Sequence, residues 1–268
     1  MQKIIVFFDI DGTLIRPDQT PNDKRLPQLV KELSKRGFLF GLNSNRSLED
    51  ALPIYKQFCL NGPLVLENGV YSIRGGRRTF LIKNPERIQR RFVEALLRAF
   101  IGQRGLTAAV AVTDSVRVLT SPKTSRIPLL FLANGYRKYT GSIHVLRYGV
   151  RDRALAKKLA SFLRGVFRSR KLDFVVECPR AFGNVTFYPA GAGKGLALRR
   201  LRQRYPGYRV YMVGDDVGDL MMLRHADAFF AVDNAAPQAK RKARYVARGT
   251  YTKGVVEVLN YLAKQIPS

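Results

Sequence analysis

The stretch that decides the fold is residues 4–14, which read Ile-Ile-Val-Phe-Phe-Asp-Ile-Asp-Gly-Thr-Leu. Its first five residues are a short apolar, partly β-branched run, which predicts a buried strand. Asp9 and Asp11 follow where this strand ends, and residues two apart on an extended chain point to the same side. Gly12 then lets the chain turn away sharply. The pattern predicts two carboxylates at the carboxyl end of a strand, where open α/β sheets bind their ligands.

Strand-like and helix-like segments alternate in the first and the last part of the chain, which is the rhythm of a parallel sheet with helices on its faces. The middle of the chain differs, because long amphipathic helical patterns lie there among short strand-like runs. The sequence therefore predicts an α/β fold with a doubly wound, Rossmann-like parallel-sheet core. We assign residues 1–83 and 186–268 to this core and residues 84–185 to an inserted α+β domain.

Three further motifs lie where predicted strands end or predicted helices begin. Ser44 and Asn45 follow the second strand, where a hydroxyl and the free N–H groups of a helix start suit a phosphate oxygen. Lys194 lies in a glycine-rich helix start without the spacing of a P-loop, and it can act as a point charge against a phosphoryl group. Asp215 and Asp219 belong to an acidic turn after a later strand. Carboxylates so close together repel one another unless a cation such as Mg²⁺ or a basic group balances them.

These motifs, in this order, resemble those of the haloacid-dehalogenase-like phosphohydrolase superfamily. The resemblance covers the whole chain, and the insert looks like the type IIB α+β cap of that family. Further stretches fall where this branch has its own short motifs: Glu67-Asn68-Gly69, Lys194-Gly195, Asp233-Asn234-Ala235 and Gly254-Val255. Each motif is weak alone, but together and in sequence they are highly specific.

The resemblance implies a role for each acid. Asp9 would be the nucleophile that forms an aspartyl-phosphate, and Asp11 would be first the general acid and then the general base. A Mg²⁺ ion would be held by the side chain of Asp9, the backbone carbonyl of Asp11 and the carboxylate of Asp215. Asp219 would complete or orient that coordination shell.

The resemblance also implies which residues bind the phosphoryl group. Ser44, Asn45 and Lys194 would hold its oxygens, and Lys194 would also offset the negative charge of Asp9. Such an arrangement suits phosphoryl transfer, which mainly needs positioning and charge neutralisation.

The implied activity is Mg²⁺-dependent hydrolysis of a small phosphorylated metabolite, with a sugar phosphate or a glycosyl phosphoglycerate as the expected substrate. The motifs are similar to those of sucrose-phosphate, trehalose-phosphate and mannosyl-3-phosphoglycerate phosphatases, so the leaving group stays open. Asp216 and Gly218 replace the serine and asparagine that are usual in the branch. A phosphomutase of the phosphomannomutase type is an alternative, because it shares the core and the cap.

The composition of the chain restricts which other functions and partners are expected. The chain has 268 residues, with 47 Lys and Arg against 20 Asp and Glu, a net charge of +27. Such a surplus favours contact with polyanions or steering of anionic ligands, so a nucleic-acid-binding protein that keeps the fold is a second alternative. The basic residues are spread over the predicted polar faces of helices, however, which favours a solvated surface over a dedicated nucleic-acid site. No run of about 18 apolar residues exists, so we expect a cytoplasmic protein without a membrane partner. The sequence does not indicate an oligomeric state.

Overall fold

A computed structural model describes residues 3–46, 48–82, 106–113, 117–120, 143–150, 153–178 and 184–265. The strands are β1 (Lys3–Phe8), β2 (Phe38–Asn43), β3 (Leu64–Leu66), β4 (Tyr71–Arg74), β5 (Arg77–Phe80), β6 (Leu106–Thr113), β7 (Arg117–Thr120), β8 (Ile143–Val150), β9 (Phe174–Glu177), β10 (Asn184–Pro189), β11 (Tyr208–Gly214), β12 (Ala228–Ala231) and β13 (Tyr245–Val246). The helices are α1 (Leu26–Lys35), α2 (Leu48–Gln57), α3 (Arg153–Ser169), α4 (Lys194–Arg202), α5 (Pro237–Lys242) and α6 (Tyr251–Gln265). A helix predicted near residues 87–101 lies outside the described residues.

The chain forms two compact units, residues 1–82 with 192–268, and residues 83–191. The first unit contains an eight-stranded sheet in the order β13-β12-β11-β1-β2-β3-β4-β5. The six strands from β13 to β3 are parallel, and β4 and β5 add an antiparallel hairpin at the edge. The predicted α/β class with a doubly wound parallel core is thereby confirmed.

The core of the first unit is built around β1, the central strand. Residues 4–8 are at most 1% exposed, because the sheet and its helices cover both faces of the strand. Helix α1 buries the stripe Leu26, Val30 and Leu33 and packs against α6. Gly37, with φ of +85°, follows the end of α1 and adopts the left-handed conformation that glycine tolerates best. This packing fixes β1 and therefore the acids that follow it.

The second unit contains a five-stranded antiparallel sheet in the order β7-β6-β8-β10-β9. Helix α3 buries an apolar stripe and its Phe167 ring packs against the rings of Phe174 and Phe187. The boundary that we predicted after residue 185 falls inside β10, which is hydrogen-bonded to β8 and β9. Within the part of the chain that the structure describes, no helix is long and apolar enough to cross a membrane.

Candidate active site

Three carboxylates meet at the carboxyl ends of β1 and β11. Asp9 directly follows β1 and Asp215 directly follows β11, and these neighbouring strands are parallel. The backbone N–H of Asp9 donates to the carbonyl of Val213 at 3.0 Å, which continues the pairing to the end of the strands. One carboxylate oxygen from each of Asp9, Asp215 and Asp219 lies within 4.8 Å of the others. The parallel register therefore brings together acids that lie about 200 positions apart in sequence.

Lys194 supplies the positive charge next to these acids. Its Nζ donates to Asp9 Oδ1 at 2.7 Å and to Asp219 Oδ1 at 2.8 Å. Lys194 is the first residue of α4, and the preceding Gly193 has φ of +135° and donates its N–H to the carbonyl of Asn68 at 2.6 Å. The glycine before the lysine is therefore needed for the turn that sends the ammonium group toward the acids.

Burial and mutual repulsion shift the protonation of this cluster. Burial raises the pKa of Asp9 well above its ordinary value, and the charges of Asp219 and Asp215 add to the rise, although Lys194 opposes it. Burial, followed by the charge of Asp219, raises the pKa of Asp215 to about 7. Burial lowers the pKa of Lys194, but Asp219 and Asp9 raise it by more. Among the described residues, Lys194 therefore does not offset the combined effect of burial and repulsion on Asp9 and Asp215.

The donor set fits a divalent cation. The cluster offers carboxylate oxygens, the ligands that Mg²⁺ prefers, and ionised Asp9, Asp215 and Asp219 would leave two negative charges in excess of Lys194. Thr13 Oγ1 donates to Asp215 Oδ1 at 2.7 Å, so the orientation of this carboxylate is fixed before any ion binds. Asp9, Asp215 and Asp219 are three of the four residues that the sequence indicates for this ion, and the fourth, Asp11, is expected to contribute its backbone carbonyl and not its carboxylate.

Two glycines make room for the acids. A Cβ atom on Gly12 would lie well inside van der Waals contact of the Asp215 carboxylate, and Gly12 has φ of +87°. A Cβ on Gly214 would collide with the carboxylate of Asp219 in the same way. Both acidic motifs therefore need glycine for close packing, and not only for their turns.

The acidic turn after β11 has two parts with different roles. The Asp219 side chain points inward, is 1% exposed, and accepts from the backbone N–H groups of Asp215 at 3.1 Å and Asp216 at 3.2 Å. The Asp216 side chain is exposed and accepts from the N–H of Val217 at 2.7 Å. The two acids cap a 3-10 helix, Val217–His225, where the sequence predicts a helix from residue 219. Because of these caps the helix begins at residue 217, two residues before the predicted start, and Asp216 serves as its N-cap.

Asp11 lies apart from the cluster and pairs with an arginine. Arg46 donates from Nε to Asp11 Oδ2 at 2.9 Å and from Nη2 to Asp11 Oδ1 at 2.5 Å, and Nη2 also reaches Gln19 Oε1. Burial lowers the pKa of Arg46, but the bonds to Asp11 raise it by more. Sequence reasoning missed Arg46. Its position two residues after Ser44, in the same motif, is the signal that could have found it.

Two of the three predicted phosphate-binding residues, Ser44 and Asn45, lie at the carboxyl end of β2, which pairs with β1 on the side away from β11. Ser44 is 1% exposed, and its N–H donates to the carbonyl of Val65 at 3.0 Å while its Oγ accepts from the N–H of Arg46 at 3.2 Å. Asn45 is exposed. The structure thus places Ser44 in a buried turn beside the strand that carries Asp9.

Two asparagines without an assigned role hold the site together. Asn234 donates from Nδ2 to the carbonyl of Gly12 at 2.7 Å and accepts from the N–H of Tyr251 at 2.9 Å. Asn43 is fully buried and donates from Nδ2 to the carbonyl of Lys194 at 3.2 Å. These side chains connect the turns after β1 and β12 and the start of α4, so they support the acid cluster without lying in it.

Comparison with known proteins identifies relatives along the whole chain. Residues 6–139 and 168–259 match the family model of haloacid dehalogenase-like hydrolases. The 5-amino-6-(5-phospho-D-ribitylamino)uracil phosphatase YbjI of Escherichia coli is 20% identical over 268 residues, covering 97% of this chain and 96% of that protein. The HMP-PP phosphatase of Serratia proteamaculans is 27% identical over 251 residues, 87% of this chain and 85% of that protein. A phosphoglycolate phosphatase of Aeropyrum pernix is 24% identical over 262 residues, 95% and 91% respectively.

Solved structures show the same fold. A haloacid dehalogenase-like hydrolase from Bacteroides thetaiotaomicron superposes with a TM-score of 0.77 at 17% identity, over 97% of this chain and all of that chain. TM0651 from Thermotoga maritima gives a TM-score of 0.69 at 20% identity, over 99% and 98%. The family model covers most of the sequence, and the relatives named above are phosphatases. The chain belongs to the haloacid dehalogenase-like hydrolase family, as the order of its motifs predicts, and its enzyme class is that of a phosphatase.

Proposed function

We propose that this chain is a Mg²⁺-dependent phosphomonoesterase that acts on a small phosphorylated metabolite through an aspartyl-phosphate. The observation that carries the proposal is the cluster of Asp9, Asp215 and Asp219 around the ammonium group of Lys194, at the edge of the sheet where open α/β folds bind ligands. An anionic nucleophile reaches an anionic substrate only where positive charge screens the two, and this cluster offers both the nucleophile and the screen.

In the first step, a carboxylate oxygen of Asp9 attacks phosphorus while the bond from phosphorus to the leaving oxygen breaks. Asp11, whose two oxygens accept hydrogen bonds from Arg46 in the ionised form, first takes up a proton from solvent and then gives it to the leaving oxygen. The product alcohol departs and the phosphoryl group stays on Asp9.

In the second step, Asp11 has become a carboxylate and accepts a proton from water, whose oxygen attacks the phosphorus of the aspartyl-phosphate. The bond from phosphorus to Asp9 breaks, which releases inorganic phosphate and restores the Asp9 carboxylate. Arg46 is a positioning residue in both steps, because it aims Asp11 and does not itself touch the reacting atoms.

Charge neutralisation is shared between the chain and the cation. A Mg²⁺ ion held by Asp9, Asp215 and Asp219 would act as a Lewis acid on the phosphoryl oxygens. Lys194 offsets the charge of Asp9 at 2.7 Å, and Ser44 offers a hydroxyl from the adjacent strand end. Because the ammonium group already contacts Asp9, its contribution does not depend on a later rearrangement.

For the substrate, we propose a small phosphorylated metabolite, and a sugar phosphate in the narrower form of the proposal. The named relatives support the wider form, since they act on a phosphoribitylamino-uracil, HMP-PP and phosphoglycolate. We propose that the α+β unit carries the side chains that choose among such compounds, because the carboxylates and Lys194 all belong to the other unit.

A phosphate-release screen tests the proposal. The protein is incubated with Mg²⁺ and a panel of phosphorylated metabolites, beside the variant Asp9→Asn and the control Asp23→Asn, whose acid pairs with exposed Arg25 away from the cluster. We expect release to fall by about 10⁴-fold or more in the first variant, as for loss of a nucleophile, and to be unchanged in the control. Full activity of Asp9→Asn would refute the mechanism. Migration of phosphate without its release would identify a mutase.

A further inference from the structure

A second charged region lies at the opposite edge of the same sheet, where β1 and β11 begin. Lys3 opens β1 and Tyr208 opens β11, and the two residues are partners in the parallel register. Strand β11 is seven residues long, so its two ends lie about 20 Å apart at about 3.3 Å per residue. This region is therefore separate from the acid cluster that follows β11.

Exposed arginines from several elements gather around this edge. On one side of this region, several arginines lie near His225. Burial lowers the pKa of His225, and the charges of Arg199, Arg224 and Arg202 lower it further. Arg202 also donates to the Asp227 carboxylate at 2.8 Å. Arginines from α4 and from the 3-10 helix Val217–His225 thus act on the same small area.

The other side of this region carries cations stacked on tyrosines. The Arg74 guanidinium lies 5.0 Å from the centre of the Tyr205 ring, and its Nη1 donates to the Tyr205 hydroxyl at 2.9 Å. The Lys3 ammonium lies 5.9 Å from the centre of the Tyr208 ring, and the two rings meet edge to face with centroids 5.5 Å apart. These residues, together with Arg204 and Arg209 on either side of residues 205–208, define what we term the arginine surface, whose exposed cations are Lys3, Arg74, Arg199, Arg202, Arg204, Arg209 and Arg224.

A pocket of about 340 Å³ opens in the arginine surface. It is lined by the turn at residues 205–208 together with Arg202, Arg209 and Asp227. The turn is closed by a hydrogen bond from the N–H of Tyr208 to the carbonyl of Tyr205 at 3.2 Å, so the pocket has a defined wall. Its volume falls in the range of small-ligand sites, about 300–1,000 Å³, and suits one nucleotide but not a folded segment of protein.

We propose that the arginine surface binds single-stranded RNA, with one nucleotide in the pocket and the neighbouring phosphates on the surrounding guanidinium groups. Arginine presents a planar fork of donors that matches two phosphate oxygens at once. Single-stranded RNA displays both a splayed base and a continuous phosphate backbone. Tyr205 is 6% exposed and Tyr208 is half-buried, so neither ring inserts into a bilayer, and the contacts with RNA are those of guanidinium groups with phosphate and not base stacking on these rings. The surface also gives part of the net charge of +27 a specific use.

The test is a salt titration with a fluorescent oligouridylate and the full chain. The variant Arg199→Ser/Arg204→Ser/Arg209→Ser removes three exposed charges from the arginine surface. The control Lys157→Ser/Lys158→Ser/Arg168→Ser removes three exposed charges from α3, in the other compact unit. Both keep every residue of the acid cluster, and equal melting temperatures show that both are folded.

We expect the wild type and the α3 control to bind with steep salt dependence between about 50 and 200 mM salt. In the surface variant the slope of log K against log salt should shrink by about 2 and the affinity should fall about tenfold or more. Equal loss in both variants, or no binding by the wild type, overturns the proposal. Tighter binding to phosphatidylserine vesicles than to RNA, lost in the surface variant, would overturn it in favour of a membrane. None of these outcomes depends on phosphatase activity.

Discussion

The two ends of strand β11 carry opposite charge, and they handle it in opposite ways. At the carboxyl end, Asp215 joins Asp9 and Asp219 in a pocket where burial and repulsion raise the pKa values of Asp9 and Asp215. At the amino end, the cations of the arginine surface stay exposed, and two of them, Lys3 and Arg74, lie over tyrosine rings. Buried like charges at close range need a specific counter-ion, whereas exposed like charges are screened by water and salt and attract a partner from a distance.

Because of this contrast, we expect substitutions at the two ends of β11 to have different effects. A change at the acid cluster alters a buried, crowded site, so it should affect catalysis and stability strongly and depend little on salt. A change at the arginine surface should leave the fold and the chemistry intact and alter only salt-dependent binding. Most of the predictions below compare a substitution at or beside the acid cluster with a control substitution of the same residue type elsewhere in the chain.

Removing the buried cation should have the largest effect. In Lys194→Met, the Asp9 and Asp219 carboxylates lose the ammonium group that contacts both. We expect kcat to fall by about 10²–10³-fold. Loss of one partner from such a buried pair costs about 3–5 kcal/mol of unfolding free energy. Activity assays and urea unfolding measure both effects.

The control is Lys240→Met, which removes an ion pair with Asp233 whose side chains are 34% and 50% exposed. A surface pair of this kind contributes about 0–1 kcal/mol, so the control should be nearly neutral. If Lys194→Met and Lys240→Met had equal effects, the buried and the exposed lysine would not differ in the way that the account requires.

Filling the space beside Asp215 should come next. In Gly12→Ala, the added Cβ displaces the Asp215 carboxylate, and we expect kcat/KM to fall about 10²-fold, as for a small misplacement of a reacting group. Gly37→Ala is the matched control, because Gly37 also has a positive φ, +85°, yet an added Cβ meets nothing within 4 Å. Both variants bear the strain of a left-handed alanine, about 1–2 kcal/mol, but only the first should lose activity.

The Arg46–Asp11 pair allows a finer test. Lysine at position 46 keeps the charge but not the two-pronged donor. For Arg46→Lys we expect kcat/KM to fall about tenfold with an alkyl phosphate, whose leaving oxygen needs a proton from Asp11, and less with a nitrophenyl phosphate. Arg25→Lys, at a pair with Asp23 in which the arginine side chain is 71% exposed, should change neither. An equal fall with both substrates would mean that Arg46 does not act through Asp11.

The pH dependence of stability should be the smallest effect, and its sign is distinctive. Burial raises the pKa of Asp215 to about 7 and that of Asp9 well above its ordinary value, so the metal-free folded state binds protons that the unfolded chain has released. The unfolding free energy should therefore fall as pH rises through the window from about 4 to 7. Thermal unfolding after chelation measures it. Added Mg²⁺ should raise the melting temperature more above this window than below it, and a metal-free protein that gains stability across the window would contradict the account.

Much of the fold and of the site is predictable because its determinants are local. The apolar run before Asp9, the glycine after Asp11 and the acidic turn at Asp215 each specify a strand end and a turn within a few residues, and parallel pairing of β1 with β11 then brings the acids together. The resemblance to the family adds one further criterion, which is the order in which the motifs occur along the chain.

The rest depends on contacts between segments that no local pattern encodes. The pairing of Arg46 with Asp11 requires two loops to be placed side by side, and Asn234 reaches the carbonyl of Gly12 across 222 positions. The arginine surface likewise arises only when α4, the 3-10 helix and the beginnings of β1 and β11 are assembled. In the sequence, its basic residues are distributed over separate segments. The caps of the 3-10 helix, from Asp216 and Asp219, could be predicted only with the turn geometry known.

The central claim, that the acids at the carboxyl ends of β1 and β11 hold one divalent cation, is tested most directly by calorimetric titration of the chelated protein with Mg²⁺. The informative pair is Asp215→Asn and Asp216→Asn, because the two acids are adjacent but only Asp215 belongs to the cluster, while Asp216 caps the following helix. The account predicts one bound equivalent in the wild type and in Asp216→Asn, and a loss of about tenfold or more in affinity in Asp215→Asn. Unchanged binding in Asp215→Asn, or no binding by the wild type, would contradict it.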